Sequence, residues 1–499
     1  MPWIRTQIIR AARLLIRIFF RSVEVEGLEH VPADGGGIVV SWHPNALIDP
    51  VLILACMPRP VIFGARSGLF RWPLLGWLMK SVGTVPIHRT QDRAGISPDQ
   101  RHAANVQALD TLAQAVADGG FSCLFPEGDS HDSPHLLAIK TGAARFYYRA
   151  RLLRPDAPAP VIIPVGLHYD AKRKFRSKVL VRFHPPLTLP AAMDVTPTLD
   201  EPPEQAQGRV RQLTAAIEQV LREVVNATES WELHHKMHRA SKLLRAERAL
   251  RAGAALDKPT MLERQVGFWR MWAGYYRWRE QEPELTMTLV ARLGEYEAKL
   301  EALGMEDHEL DRPPERGRSL RAALLMAQVV AAFVVFPTLI FLAGLVNLGP
   351  FLIIRVGSRI AAQKGKDHAT IKLAAGVLLY PLAWTIAGIL AAGASFVLHE
   401  VDPMIPASPL QAATVVVLLA IAGGMAALHY TRLVRETARA MRVRLTRARQ
   451  RVALAELRVE RAELADILEA AEDGVDLPGS VTADGRVIAG EQVPPGGKM

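Results

Sequence analysis

Four short apolar runs in the first 170 residues alternate with polar turns and helix-compatible stretches. The runs end near residues 40, 87, 125 and 167, and each is bounded by glycine, proline or polar residues. Their length is that of buried strands rather than of helices. Strands that alternate with helical stretches predict an α/β fold, in which ligands gather where the strands end.

The pattern becomes helical beyond residue 200. Residues 203–311 carry helical periodicity with charges of both signs, and they predict a helical subdomain over residues 201–318. Three charge-free stretches follow, and each is long enough to cross a bilayer. They occupy residues 322–354, 373–398 and 410–430. We therefore expect a C-terminal α-helical transmembrane region over residues 319–430.

The charges that flank these stretches predict their orientation, because basic residues stay on the cytoplasmic side. Basic residues cluster before the first stretch, between the first and second, and after the third, whereas Glu400 and Asp402 lie between the second and third. The first stretch must then return to its starting side as a hairpin, bent at Pro337 or at Gly349-Pro350. A single span that violates the charge rule is the alternative.

The two ends of the chain are predicted as separate units. Arginines recur at near-helical spacing in residues 1–22, opposite apolar side chains, which predicts an amphipathic helix on the membrane surface. Packing on the neighbouring domain is the alternative. Residues 431–473 predict one long juxtamembrane helix, and the apolar spacing within residues 431–471 would suit a homo-oligomer. The tail over residues 474–499 is rich in glycine and proline and is predicted to be disordered.

Composition narrows the class of ligand. The 499-residue chain has a net charge of +10, which suits anionic ligands or an anionic membrane surface. Nucleic acid is not expected, because no nucleic-acid-binding module is visible. Cys56 and Cys123 lie in apolar surroundings and are predicted to be reduced core residues. His131 and His135 are spaced like metal ligands, but a loop with local hydrogen bonds is favoured, so neither a metal nor a cofactor is expected.

Candidate chemistry begins with His43 and Asp49, which follow the first apolar run. A histidine with a carboxylate that orients its ring is the minimum equipment for removing a proton from a hydroxyl. Six residues of continuous helix would place Asp49 about 240° around the axis from His43. His43 must therefore lie in the turn before the helix, and Pro44 or Asn45 would start the helix.

Four blocks in this order resemble the glycerolipid acyltransferase family: residues 43–49, 83–89, 125–128 and 161–167. Five residues separate His43 from Asp49, and Phe-Pro-Glu-Gly-x-Ser-His-Asp occupies residues 125–132. Together with residues 173–177, these features are similar to the eukaryotic-type glycerol-3-phosphate and dihydroxyacetone-phosphate acyltransferases. The resemblance implies a mixed sheet flanked by helices, with the catalytic domain over residues 23–200.

The resemblance also implies roles for single residues. His43 would be the general base, and Asp49 would fix its tautomer, without an acyl-enzyme intermediate. The substrate-binding residues would be Arg89, Glu127, Gly128, Lys140 and Arg66. Arg89 suits the acceptor phosphate, with Lys140 and Arg66 as further cations. Arg89 as a surface ion-pair partner and Lys140 as a solvated residue are the alternatives.

Glu127 has two alternatives as well, since it could hold its own loop or a glycerol hydroxyl of the acceptor. Gly128 would let the backbone approach the ligand closely. Neither role needs a metal ion.

The expected function is transfer of a fatty acyl group from acyl-CoA or acyl-carrier protein to glycerol 3-phosphate or dihydroxyacetone phosphate, in phospholipid synthesis. The alternative within the class is acylation of 1-acylglycerol-3-phosphate, and the alternative from another class is a non-catalytic membrane scaffold. The expected partners are the acyl donor, the glycerol phosphate acceptor and membrane lipids. We expect an integral protein of the bacterial inner membrane with its catalytic domain on the cytoplasmic face.

Overall fold

A seven-stranded mixed sheet forms the centre of the N-terminal domain in the computed structural model. The structure describes residues 2–88, 97–198, 200–254, 258–311, 318–330, 336–361, 367–404, 407–472 and 476–488. The strands of the sheet are β1 (Ser22–Glu26), β2 (Gly37–Ser41), β3 (Val61–Arg66), β4 (Val85–Ile87), β5 (Phe121–Leu124), β6 (Val161–Tyr169) and β7 (Lys178–Phe183).

The strand order places the carboxyl ends of five strands together. The order is β1-β7-β6-β2-β5-β3-β4, and the neighbouring pairs are parallel apart from the antiparallel pair β6 and β7. Strands β2 to β6 therefore run in one direction and end at one edge of the sheet. Ligands gather at this edge in open α/β sheets.

Six helices pack against the sheet and with one another. They are α1 (Pro2–Phe19), α2 (Ile48–Cys56), α3 (Pro73–Ser81), α4 (Pro98–Ala117), α5 (Gly142–Leu153) and α6 (Pro203–Val225). The expected mixed sheet flanked by helices is confirmed. Strands β2, β5 and β6 are almost wholly buried, which explains why their sequences are continuous apolar runs.

The N-terminal domain is longer than the predicted 23–200. Helix α6 packs on β6, and its residues Leu213, Ile217 and Leu221 belong to the same hydrophobic core as the sheet. The boundary with the helical subdomain therefore lies after residue 225, because α6 buries its apolar face on the sheet.

A second hydrophobic core holds the helical subdomain together. Its helices are α7 (Trp231–Arg251), α8 (Met261–Gln281), α9 (Pro283–Ala302) and α10 (Asp307–Leu310), and they enclose side chains such as Phe268, Leu293 and Tyr296. The predicted helical subdomain is present, and the break at Pro283 separates α8 from α9.

In the described part of the region with charge-free stretches, four helices follow: α11 (Arg318–Val330), α12 (Phe336–Ala361), α13 (Asp367–Val401) and α14 (Pro409–Arg449). Helices α12, α13 and α14 pack side by side. Two helical segments in the described part of the chain, His368–Val401 and Pro409–Arg449, are long and apolar enough to cross a membrane. Their apolar side chains are largely exposed, unlike those of a core helix, which points to association with a membrane.

The C-terminal helix differs from the expected single long helix. Helix α14 ends at Arg449, and α15 (Arg451–Glu472) begins two residues later and packs into the core of the helical subdomain. Its buried face carries leucines 454, 457, 464 and 468. The apolar spacing predicted for an oligomer contact within residues 431–471 includes Val452 and Val459. Both are exposed, so they lie on a different face of α15 from the one that packs within the chain.

The two ends of the chain both contact the rest of the protein. Helix α1 buries Ile16 and Phe19 in the core of the N-terminal domain, whereas Trp3 is exposed, so contact with a membrane stays a prediction. Residues 476–488 form a hairpin of β8 (Ser480–Val481) and β9 (Val487–Ile488) that packs on α8. This hairpin corrects the expectation of disorder for that part of the tail.

Candidate active site

His43 and Asp49 meet at the carboxyl end of β2. His43 Nδ1 lies 2.8 Å from Asp49 Oδ2, and the Asp49 side chain is fully enclosed. Asp49 sits in the first turn of α2, and His43 precedes that helix, as the spacing requires. The helix begins at Ile48, however, rather than at Pro44 or Asn45. The intervening residues form a turn that brings the ring back to the carboxylate.

Asp49 accepts hydrogen bonds from three groups. Besides His43, the backbone N–H of Asn45 donates to Oδ2 at 2.7 Å, and the Tyr169 hydroxyl donates to Oδ1. Burial and the negative charge of Asp49 raise the pKa of Tyr169 well above its usual range. The tyrosine therefore remains a hydrogen-bond donor at any working pH. These three hydrogen bonds hold the Asp49 carboxylate in a single orientation.

The ring of His43 is held on a second side by Phe125. The two rings stack with their centroids 4.1 Å apart and their planes 14° from parallel. Because Nδ1–H donates to Asp49, Nε2 is the basic nitrogen of the neutral ring. The His43 side chain keeps 16% of its surface exposed, so the ring edge is accessible to a substrate. The arrangement can take a proton from a hydroxyl and return it later.

Glu127 is a buried connector between the loops of the site. Its Oε2 accepts from the backbone N–H of His43 at 2.9 Å. Its Oε1 accepts from His131 Nε2 at 2.7 Å and from the backbone N–H of Leu137 at 2.9 Å. Of the two expected uses, these contacts support loop holding, because both carboxylate oxygens are engaged within the protein.

Gly128 and Lys140 lie together beside this loop. Gly128 has φ +71, and the Lys140 side chain passes over it so closely that a Cβ at position 128 would collide with the ammonium group. The positive φ favours glycine there, whereas the flexible Lys140 side chain could move aside for a Cβ. Lys140 is exposed, and its backbone N–H donates to the Pro126 carbonyl at 2.9 Å. A cation thus lies at the Phe-Pro-Glu-Gly loop that also anchors His43.

Two candidate substrate-binding residues remain, Arg66 and Arg89. Arg66 ends β3, so it lies on the same edge of the sheet, with an exposed side chain. Arg89 lies outside the described residues. Within the described part of the chain, no three histidine, cysteine, aspartate or glutamate side chains converge to hold a metal ion.

Comparisons with known proteins agree with the geometry. Residues 22–168 match the acyltransferase family. The chain is 25% identical over 288 residues to glycerol-3-phosphate O-acyltransferase 2 of Saccharomyces cerevisiae, covering 58% of this chain and 37% of that protein. It is 30% identical over 172 residues to the lyso-ornithine lipid O-acyltransferase of Rhodobacter capsulatus, covering 34% of this chain and 54% of that protein.

Residues 22–168 therefore form an acyltransferase domain. A further relative is the chloroplast 1-acyl-sn-glycerol-3-phosphate acyltransferase LPAT1 of Arabidopsis thaliana, 28% identical over 25% of this chain and 32% of that protein. The chain thus matches about a third to a half of the length of these relatives. The 1-acyl-sn-glycerophosphate acyltransferase structure from Thermotoga maritima aligns over 42% of this chain and 77% of that one, with 22% identity and a TM-score of 0.29.

Three residues of the acyltransferase domain's site were not singled out from the sequence. Phe125 belongs to the Phe-Pro-Glu-Gly motif, and its stacking on His43 depends on the fold. His131 is spaced like a metal ligand in the sequence, but its Nε2 donates to Glu127. Tyr169 lies at the end of β6, and this position is its only signal in the sequence, because its contact with Asp49 depends on how the strands pair.

Proposed function

We propose that this protein transfers a fatty acyl group from a thioester donor, acyl-CoA or acyl-carrier protein, to the hydroxyl of glycerol 3-phosphate. The observation that carries the proposal is the contact between His43 and an Asp49 carboxylate fixed by three donors. A thioester is already reactive, so the protein mainly has to deprotonate the acceptor and hold both reactants in place.

The chemistry needs no cofactor. His43 Nε2 accepts the proton of the acceptor hydroxyl as its oxygen attacks the thioester carbonyl carbon. The tetrahedral intermediate collapses, the carbon–sulfur bond breaks, and the imidazolium returns the proton to the leaving thiolate. The products are an ester and a free thiol. Asp49 stabilises the imidazolium throughout and is not itself protonated.

The choice of glycerol 3-phosphate as the acceptor rests on two observations. They are the five residues between His43 and Asp49 and the longer alignment with a glycerol-3-phosphate O-acyltransferase. The yeast glycerol-3-phosphate O-acyltransferase aligns with 58% of the chain, against 25% for the chloroplast 1-acyl-sn-glycerol-3-phosphate acyltransferase. Acylation of 1-acylglycerol-3-phosphate is the second candidate, because Lys140 at the Phe-Pro-Glu-Gly loop would suit the phosphate of either acceptor.

We place the protein in a membrane, with the acyltransferase domain on the cytoplasmic face, as in a bacterial inner membrane. The exposed apolar faces of α13 and α14 support this location. Membrane lipids would then be its surroundings and its product would enter them directly.

An acceptor panel tests the proposal. Purified full-length protein in lipid vesicles is given labelled acyl-CoA or acyl-carrier protein with each acceptor: glycerol 3-phosphate, dihydroxyacetone phosphate, 1-acylglycerol-3-phosphate and lyso-ornithine lipid. We expect the highest kcat/KM with glycerol 3-phosphate. A higher value with 1-acylglycerol-3-phosphate would favour the second candidate, and no acylation of any acceptor would favour a scaffold.

A further inference from the structure

The turn between His43 and Asp49 is held in an unfavourable backbone conformation. Ala46 has φ 41, in the left-handed region that residues with a side chain rarely adopt. Leu47, which precedes α2, provides no side-chain cap for the helix start. Such a conformation persists only where the surrounding structure enforces it. The dyad therefore depends on contacts from outside the turn.

Two hydrogen bonds flank Ala46 and hold the turn. On one side, the backbone N–H of Asn45 donates to Asp49 Oδ2 at 2.7 Å. On the other side, the backbone N–H of Leu47 donates to the hydroxyl Oγ1 of Thr370 at 3.2 Å. Thr370 lies 323 residues further along the chain, in α13. The cap that α2 lacks locally is supplied by a helix of the membrane region.

The contact of α13 with the acyltransferase domain is broader than one hydrogen bond. Ala369 and Leu373, on either side of Thr370, are buried in the core of that domain. Lys372 Nζ donates to the carbonyl of Arg173 at 2.7 Å. The neighbouring carbonyl of Lys172 accepts from Asn45 Nδ2 at 3.4 Å. The start of α13 thus reaches the turn directly through Thr370 and indirectly through residues 172–173.

We propose that Thr370 is a positioning residue for the reaction: through its hydroxyl, α13 holds the turn that brings His43 and Asp49 together. This inference rests on the proposed function, since it assigns Thr370 a role in the turnover of that site. It makes the membrane region part of the support of the acyltransferase site and not only an anchor.

The test compares Thr370→Val with Thr370→Ser in full-length protein reconstituted in vesicles. Valine keeps the shape of the threonine side chain but lacks the oxygen that accepts from the Leu47 backbone N–H, whereas serine keeps that oxygen. We expect Thr370→Val to lower kcat by about tenfold with KM for both substrates within about twofold, and Thr370→Ser to keep the wild-type kcat. Thr385→Val is the matched control, because the Thr385 hydroxyl donates to the Pro381 carbonyl of its own helix, α13.

The outcomes separate this inference from the proposed function. A wild-type kcat in Thr370→Val, with the kcat of His43→Ala lowered by about 10² or more in the same assay, would overturn the role of Thr370 alone. A kcat of His43→Ala within about twofold of wild type would overturn the proposed mechanism, and the inference with it. Should Thr370→Val fail to fold, a tenfold lower kcat in a Thr370→Ser protein of wild-type melting temperature would contradict the proposal.

Discussion

At the scale of residues, Asp49 is the centre of the site. It is fully enclosed, yet its charge is compensated by hydrogen bonds from a ring nitrogen, a backbone N–H and a phenol. A buried carboxylate is tolerated only with such partners. The sequence indicated the histidine and the carboxylate because their types and spacing carry the chemistry. It did not indicate Tyr169, whose contact with Asp49 depends on the pairing of β6 with β2.

Tyr169→Phe tests the importance of the fixed carboxylate. The change leaves Asp49 Oδ1 without its phenol donor while His43 and Asn45 still donate to Oδ2. We expect kcat to fall by about tenfold, because a hydrogen bond to a charged group contributes about 1.5–3 kcal/mol. Steady-state kinetics checks this against Tyr148→Phe, whose hydroxyl donates to the Met193 carbonyl instead. Equal kcat values for the two variants would contradict a role for Tyr169 in the reaction.

Arg89→Ala tests the predicted phosphate contact. A guanidinium binds phosphate oxygens in a bidentate manner, so its loss should raise KM for the phosphorylated acceptor by about tenfold and leave KM for the acyl donor within about twofold. Arg154→Ala is the control, because Arg154 pairs with Asp118 beyond the opposite ends of the strands. Similar increases in both KM values would exclude the phosphate role for Arg89.

At the scale of elements, contacts at both ends of the membrane region constrain its path. Thr370 near the start of α13 contacts the acyltransferase domain. Beyond α14's apolar half, Arg439 pairs with Glu309 and Arg447 donates to the Glu309 carbonyl at 2.8 Å. We therefore expect residues 309, 370 and 439 to lie on the same side of the membrane. The chain between residues 311 and 370 would then begin and end on that side, which favours the predicted hairpin over a single span. Helix α12 continues through Gly349-Pro350, so the hairpin would not bend there.

Cysteine labelling in intact cells or sealed vesicles tests this path. We expect Met404→Cys, in the exposed turn between α13 and α14, to react only with reagent on the side opposite the acyltransferase domain. We expect Met287→Cys, exposed on α9, to react only from the cytoplasmic side. Labelling of both cysteines from one side would mean that α13 and α14 do not cross the membrane as a pair.

Elements differ in how well the sequence predicts them. Strands β2, β5 and β6 were expected, because burial on both faces makes them continuous apolar runs. Strand β1 was not, since its sequence alternates valine with glutamate and gives no such run. The packing of α15 was missed because it depends on partners far away in sequence: Arg461 pairs with Glu247 at 2.8 Å and with Asp311 at 2.7 Å.

At the scale of the whole molecule, the loop over residues 172–177 joins the parts that surround the site. Lys172 and Arg173 pair with Asp132 of the Phe-Pro-Glu-Gly block. The backbone N–H of Arg176 donates to the Phe19 carbonyl at 2.7 Å, so the loop also caps the end of α1. The amphipathic helix, the His43 turn and the start of α13 therefore meet around one basic loop. This arrangement places the dyad beside the elements expected to contact lipid.

The most direct test of the central claim is the turnover of His43→Ala with glycerol 3-phosphate and labelled acyl-CoA in full-length protein. A general base contributes about 10²–10⁴ in rate, so kcat should fall within that range. His135→Ala, which removes an exposed histidine near the Phe-Pro-Glu-Gly loop, should keep the wild-type kcat. A His43→Ala protein that retains turnover within about twofold of wild type would contradict the account.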